Sequence, residues 1–149
     1  MSAQETADDL HAVVARRLRV INQRYTPGRR AIVDLLATAG HPVSIGDIAE
    51  RLPLLPRSSA YRHLTVLDTA GLVRRVSAGD EFGRFELAED LTEHHHHLLC
   101  ANCCKVIDVI LPPDFERQTA AVISELAGAE GFQASSHRLD VVGLCADCR

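Results

Sequence analysis

Apolar positions in the first half of the chain recur at helical spacing. Leu10, Val13, Val14, Leu18 and Ile21 fall on one face, with Arg16, Arg17 and Arg19 between them. Thr26-Pro27 reads as an N-cap followed by proline at the first helical position; Ile32, Leu35, Leu36 and Ala39 form the stripe of a second helix, which Gly40 ends. Ser44 with Asp47 three residues on is a capping-box pattern, predicting a third helix to about Leu52 with Ile45, Ile48 and Ala49 facing inward. Pro53 and Pro56 break the chain. Arg57-Ser58-Ser59 then opens a fourth helix that carries Leu64 and Leu67 and stops at Gly71. Two short extended runs, 72–76 and 84–87, flank a turn-rich 77–83 and predict a β-hairpin.

Helices followed by a hairpin make the layout of a winged helix-turn-helix, whose last helix enters the major groove while the wing lies along the backbone. Arg57, Ser58, Ser59, Tyr61, Arg62 and His63 crowd the first turns of that helix. Arginine can grip guanine with two hydrogen bonds, tyrosine can touch thymine methyls or phosphates, and serine can donate to phosphates. The bland reading is a solvated helix start with Tyr61 half-buried. The cluster as a whole, set in a basic half, favours DNA.

Charge supports that division. The chain of 149 residues has a net charge of −4, but residues 1–76 hold 11 Arg against 7 Asp/Glu, and residues 77–149 hold 5 Lys/Arg against 13 Asp/Glu. The front half, at +4, can meet phosphates; the back half, at −8, is repelled by them and can hold cations. The expected architecture is α+β: a winged helix-turn-helix domain over 1–88 and a small α/β dimerisation domain over 89–149. The acidic N-terminus lacks the basic and apolar regions of a secretory signal, and no apolar run is long enough to span a membrane. A soluble cytoplasmic protein is expected.

Five cysteines lie in the back half: Cys100, Cys103, Cys104, Cys145 and Cys148. Cys100/Cys103 and Cys145/Cys148 form a CxxC…CxxC pair with 41 residues between. Each two-residue knuckle can turn both thiolates onto one ion, and two knuckles complete a tetrahedral four-sulfur zinc site. Such a staple joins distant parts of a domain with little core. A redox CxxC would more often be single, in a βαβ setting.

Leading into the first knuckle is Glu93-His94-His95-His96-His97-Leu98-Leu99-Cys100. If this stretch is extended, His94 and His96 share one side and His95 and His97 the other, so one strand can serve two metal ions. Glu86 and Asp108 are candidate partners for His95/His97. Glu116, near the start of a helix announced by Pro112-Pro113, and His137 are candidates for His94/His96. Alone, Glu116 or Asp108 would be an ordinary solvated carboxylate; each gains weight only beside the histidines. Nitrogen and oxygen donors suit Fe²⁺, Mn²⁺, Ni²⁺ or Zn²⁺ more weakly than thiolates do, as a reversible sensor requires.

Taken together, Thr26-Pro27-Gly28-Arg29, Ser59-Ala60-Tyr61-Arg62-His63-Leu64, Gly71-Leu72-Val73, Arg84-Phe85-Glu86-Leu87, the run His94 to Cys100, Cys103, Asp108, His137 and Cys145/Cys148 resemble the ferric uptake regulator family of bacterial metalloregulators. The resemblance implies a homodimeric repressor that binds palindromic operator DNA when loaded with metal. It assigns structural Zn²⁺ to Cys100, Cys103, Cys145 and Cys148, and an inter-domain regulatory divalent metal (Fe²⁺, Zn²⁺ or Mn²⁺) to Glu86, His95, His97 and Asp108. A third site falls on His94, His96, Glu116 and His137. Tyr61 and Arg62 match DNA-contacting residues, and Arg29, from the first matching segment, is placed with them on the DNA face.

Three departures stand out. Many members have glycine where this chain has Cys104. A histidine just before the third helix often joins the regulatory site; here His41 stands one position early, with Pro42 in the matching place. Zinc sensors often add a cysteine shortly before the histidine run, where this chain has Asp90. A peroxide sensor on the same scaffold, oxidising His95 or a neighbour through Fe²⁺, is the alternative. No HExxH helix or nucleophile–base pair suggests an enzyme, and no small-molecule substrate is expected.

Overall fold

The computed structural model describes residues 3–77, 79 and 83–149. The chain divides into two compact units, Met1–Glu93 and His94–Arg149. The first contains α1 (Ala3–Val20), α2 (Pro27–Thr38), α3 (Ile45–Arg51), α4 (Arg57–Thr69), β1 (Val73–Val76), β2 (Arg84–Leu87) and a 3₁₀ turn at Glu89–Leu91. The second contains β3 (His96–Cys100), β4 (Val106–Val109), α5 (Pro113–Ala129) and β5 (Asp140–Gly143).

Local chemistry sets the ends of the helices. The Thr26 hydroxyl accepts from Arg29 N–H, with Pro27 following it at the first helical position. At α3 the capping box closes in both directions: Ser44 Oγ accepts from Asp47 N–H, and Asp47 Oδ2 accepts from Ser44 N–H. Burial pushes the Asp47 carboxyl up, but these bonds, with the charges of Arg84 and His41, hold it below the usual carboxylate range. Helix α4 ends at Gly71, whose φ of 64° suits a residue without Cβ. There Leu72 N–H reaches Leu67 O at 2.9 Å and Gly71 N–H reaches Asp68 O at 2.8 Å, while the Leu67 and Leu72 side chains are both fully buried. This is a Schellman closure, and it aims the chain into β1.

Val14 and Leu18 of α1, Ile32 and Val33 of α2, Ile48 of α3, Leu64 and Leu67 of α4, and Leu72 and Leu87 around the hairpin make the core of the first unit. Strands β1 and β2 pair antiparallel, Val73 opposite Leu87, and Val43 bridges Phe85 on the outer side. The expected hairpin is therefore formed, although residues 78 and 80–82 of its turn lie outside the described residues. Outside the metal clusters, His11 is buried between Tyr25 (Nδ1 to Oη, 2.6 Å) and Asp34 (Nε2 to Oδ1, 2.9 Å), tying α1 to α2. Burial, helped by Asp34, pushes the Tyr25 phenol up to about 12.

In the second unit β3 lies between antiparallel β4 and parallel β5, with α5 in the crossover. Its core is small: Leu99, Cys100 and Val106 are its buried apolar residues. No residue of α5 is buried, and all four of β5 are exposed. Among the described residues no helix is long and apolar enough to cross a membrane.

Candidate metal centres

The alternation expected for the histidine run holds. His94 and His95 lead into β3, and His96 and His97 open it; the rings pair as His94 with His96 (centroids 4.8 Å apart) and His95 with His97 (5.2 Å). Two-residue periodicity alone sorts four consecutive imidazoles into two sets.

The His94/His96 set gathers Glu116 from the first turn of α5 and His137 from the segment before β5. Glu116 Oε1 lies 3.0 Å from His94 Nε2 and 2.8 Å from His137 Nε2, and Oε2 lies 3.0 Å from His96 Nε2. The His96 bond, with the surrounding imidazoles, holds the Glu116 carboxyl below its usual value. Glu116 Oε1 and His137 Nε2 are buried and close, yet neither is aligned for a hydrogen bond with any described residue. Lone pairs that converge without bonding to one another fit a cation placed between them. One donor atom from each of the four residues lies within 4.8 Å of the others.

The His95/His97 set meets Asp108, which β4 carries directly opposite His97. One ligand atom from each of these three residues lies within 4.8 Å of the others. His97 Nε2 stands 3.9 Å from Asp108 Oδ1, too far for a hydrogen bond between them and close enough for a shared ion. His97 is only 2% exposed, and its Nδ1 lies 3.0 Å from Asp140 Oδ1. Glu86 belongs to the first unit, where it is buried in β2 and ion-paired with Arg74 across the hairpin.

The four expected cysteines also converge, within 4.8 Å by their sulfurs. Cys103 Sγ and Cys145 Sγ are 3.7 Å apart, against ~2.05 Å for a disulfide and roughly 3.8 Å for the edge of a tetrahedron built on ~2.3 Å Zn–S bonds. Backbone N–H groups of Cys103, Cys145 and Asn102 pull the Cys100 thiol down to about 6. Cys103 behaves oppositely: the Lys105 N–H favours its thiolate, but Cys100, desolvation and the other two thiols push it up to about 12. Four thiolates this close resist ionising together, and a divalent cation relieves that opposition. The donor set fits Zn²⁺, and the histidine–carboxylate sets fit a harder, exchangeable divalent metal.

Residues 21–142 match the model of the ferric uptake regulator family. The chain belongs to that family. It is 32% identical over 154 residues to the peroxide operon regulator of Bacillus subtilis, with 99% of this chain and 96% of that protein covered. Its fold matches the Helicobacter pylori ferric uptake regulator, a protein with three functional metal-binding sites, at a TM-score of 0.76 and 22% identity over 99% of this chain and 97% of that one. The Vibrio cholerae ferric uptake regulator gives a TM-score of 0.67 at 27% identity, covering 87% and 98%. The protein is thus a ferric uptake regulator family, metal-responsive transcriptional repressor with the α+β fold expected, and such regulators are not enzymes. Members of the family bind operator DNA, typically as dimers.

Of the residues expected to face DNA, those of α4 lie on the side of the helix opposite its buried face. Ala60, Leu64 and Leu67 bury one side of α4, while Arg57, Ser58, Tyr61 and Arg62 are exposed and Ser59 half-buried. Arg62 also bonds Ser59 Oγ at 3.1 Å, which holds both on one face. Arg29 corrects the sequence expectation. It is 9% exposed, and its guanidinium donates to Arg24 O and to Gln23 Oε1 (2.8 Å), bracing the turn before α2 rather than facing DNA. Its two acceptors lie five and six residues earlier in the chain, so the turn before α2 itself draws the arginine inward. His41 keeps its Nδ1 3.1 Å from Pro42 O, and none of the three ligand clusters among the described residues includes it.

Cys104 explains why glycine is favoured after the knuckle. Its φ is 58°, the left-handed region that costs a residue with Cβ roughly 1–2 kcal/mol. Its N–H closes the knuckle onto Cys100 O at 3.0 Å, so the conformation is fixed by the turn. Replacing Cys104 with glycine is expected to leave zinc content unchanged and to raise stability by about 1 kcal/mol in chemical denaturation.

Proposed function

We propose that the protein represses transcription as a homodimer whose affinity for a palindromic operator rises when a divalent metal fills the His95, His97 and Asp108 set. The observation that carries this reading is the convergence of those three side chains as a set distinct from the four cysteines. Glu86 is the fourth ligand that the family resemblance implies for this set. Cys100, Cys103, Cys145 and Cys148 hold structural zinc; His94, His96, Glu116 and His137 hold a further ion. Nitrogen and oxygen donors favour Fe²⁺ or Mn²⁺ at the regulatory set, with Zn²⁺ able to compete.

Dimerisation is supported by the unpartnered apolar surface of the second unit. Phe115, Val122 and Leu126 form a stripe along α5 at 52–65% exposure, and Val141 and Val142 of β5 are 49% and 67% exposed. Exposed apolar residues on both α5 and β5 of a unit with so small a core suit burial against a second copy. On DNA, Tyr61 and Arg62 reach base edges from the exposed side of α4 while Arg57 and Ser58 anchor phosphates.

Fluorescence anisotropy of a labelled palindrome from the protein's own upstream region tests the proposal. Zinc-containing protein is titrated with Mn²⁺, and binding should tighten by more than tenfold. Equal affinity with and without Mn²⁺ or Fe²⁺ would overturn it. The similarity to the Bacillus subtilis peroxide operon regulator favours a second reading. If Fe²⁺-loaded protein treated with peroxide gains one oxygen atom on the His95–His97 peptide and loses operator affinity, the metal serves peroxide sensing.

A further inference from the structure

Asp140 has no place in any of the three ligand sets, yet it holds one of their members. It is the first residue of β5, and parallel pairing sets it directly opposite His97. Its Oδ1 lies 3.0 Å from His97 Nδ1, and the ring it holds is 2% exposed. An ionised carboxylate can only accept hydrogen bonds, so this contact requires the proton on Nδ1. Nε2 then carries the lone pair, and Nε2 is the atom turned toward Asp108.

The adjacent pair shows the opposite arrangement. Leu139 N–H donates to His96 Nδ1 at 3.1 Å, which puts the lone pair on Nδ1 and leaves Nε2 to donate to Glu116 Oε2 at 3.0 Å. Two consecutive residues where the chain enters β5, Leu139 through its backbone and Asp140 through its carboxylate, thus fix two consecutive histidines in opposite tautomers. His97 is preset to offer Nε2 to an ion; His96, metal-free, donates from Nε2 to Glu116 and must give up that hydrogen bond to bind an ion in its own set. Burial is the same for both rings, so burial does not make the difference.

We infer that Asp140 is a positioning residue of the regulatory metal set: it locks the His97 tautomer and ring orientation and raises the basicity of Nε2 toward a divalent cation. The inference rests on the reading of His95, His97 and Asp108 as metal ligands. Outer partners of this type typically contribute 10–100-fold in metal affinity. Because Asp140 also begins the strand that carries the exposed Val141 and Val142, the same residue links ligand orientation to the proposed dimer surface.

The test uses full-length, zinc-containing protein, with Mn²⁺ as the probe. Asp140→Ala should weaken Mn²⁺ binding 10–100-fold, with zinc content and melting temperature near wild type. Asp140→Asn keeps an acceptor without the charge and should recover part of the loss. Independently, long-range ¹H–¹⁵N NMR of Mn²⁺-free protein should show His97 protonated on Nδ1 in the wild type and in Asp140→Asn, and a tautomer mixture in Asp140→Ala. Mn²⁺ affinity within twofold of wild type in Asp140→Ala would overturn the inference, as would a wild-type His97 protonated on Nε2. Should the wild type itself bind no Mn²⁺, the metal reading fails, while the NMR comparison still decides whether Asp140 sets the tautomer.

Discussion

Replacing Cys145 with serine is expected to release zinc and to unfold the second unit while the first stays folded. The physical reason is the contrast between the two cores. The first unit closes over fifteen buried apolar residues drawn from all four helices and the hairpin. The second buries Leu99, Cys100 and Val106 and leaves both α5 and β5 largely exposed. What joins the end of β3 to the chain after β5 is the sulfur set, assisted by Cys145 N–H to Cys100 Sγ at 3.4 Å and by the exposed Lys105–Asp147 pair at 3.4 Å. Exposed ion pairs contribute little, whereas structural zinc in small peptides supplies on the order of 10 kcal/mol of folding free energy. Without Cys145 the parallel β3–β5 pairing loses its clamp, and the apolar face proposed for the dimer loses its shape. Zinc content by a chromogenic chelator, size-exclusion mass and circular dichroism check this together. The expected result is loss of zinc, a monomer or aggregate, and a retained helical signal from α1 to α4. Full zinc occupancy with an unchanged mass would remove the staple assignment.

That contrast also explains which parts of the molecule were legible in the sequence. The ends of α2, α3 and α4 were readable because each has its own local device: Thr26-Pro27, the Ser44/Asp47 box, and Gly71. The histidine run was readable because alternation in a strand is a local rule, and the two ring pairs follow it. The strands Val106–Val109 and Asp140–Gly143 were not anticipated. They are four residues each, and β5 owes its place to parallel pairing with β3 across a helical crossover. Asp140 was missed for the same reason, since nothing near it in the chain announces a partner 43 residues earlier. The buried His11–Tyr25–Asp34 cluster is likewise assembled from three separate segments. Arg29 shows the converse failure: a segment match gave its neighbourhood, but a long side chain can turn back onto its own preceding turn, here to Arg24 O and Gln23 Oε1.

The double replacement His95→Ala/His97→Ala is expected to abolish metal-dependent operator binding by two orders of magnitude or more, with structural zinc and dimer mass intact. Both imidazoles face away from His94 and His96, so their removal leaves the Glu116-centred set with all four of its members. Neither contributes to the sulfur set. What disappears is most of the donor set that couples an ion to the second unit, leaving Asp108 and the proposed Glu86 to hold it. A dimeric reader must present its two recognition helices about 34 Å apart to engage successive major-groove faces. Shifting such a dimer from 1:99 to 99:1 in favour of that spacing takes about 5.5 kcal/mol of differential metal binding, which two carboxylates alone do not supply. The companion double mutant His94→Ala/His96→Ala separates the sets. If the regulatory role belongs to His95 and His97, the companion retains a metal response while this mutant has none, in anisotropy titrations with Mn²⁺ on the same palindrome. A normal response in His95→Ala/His97→Ala would transfer the switch to the Glu116-centred set and leave His97 and Asp140 as a structural pair.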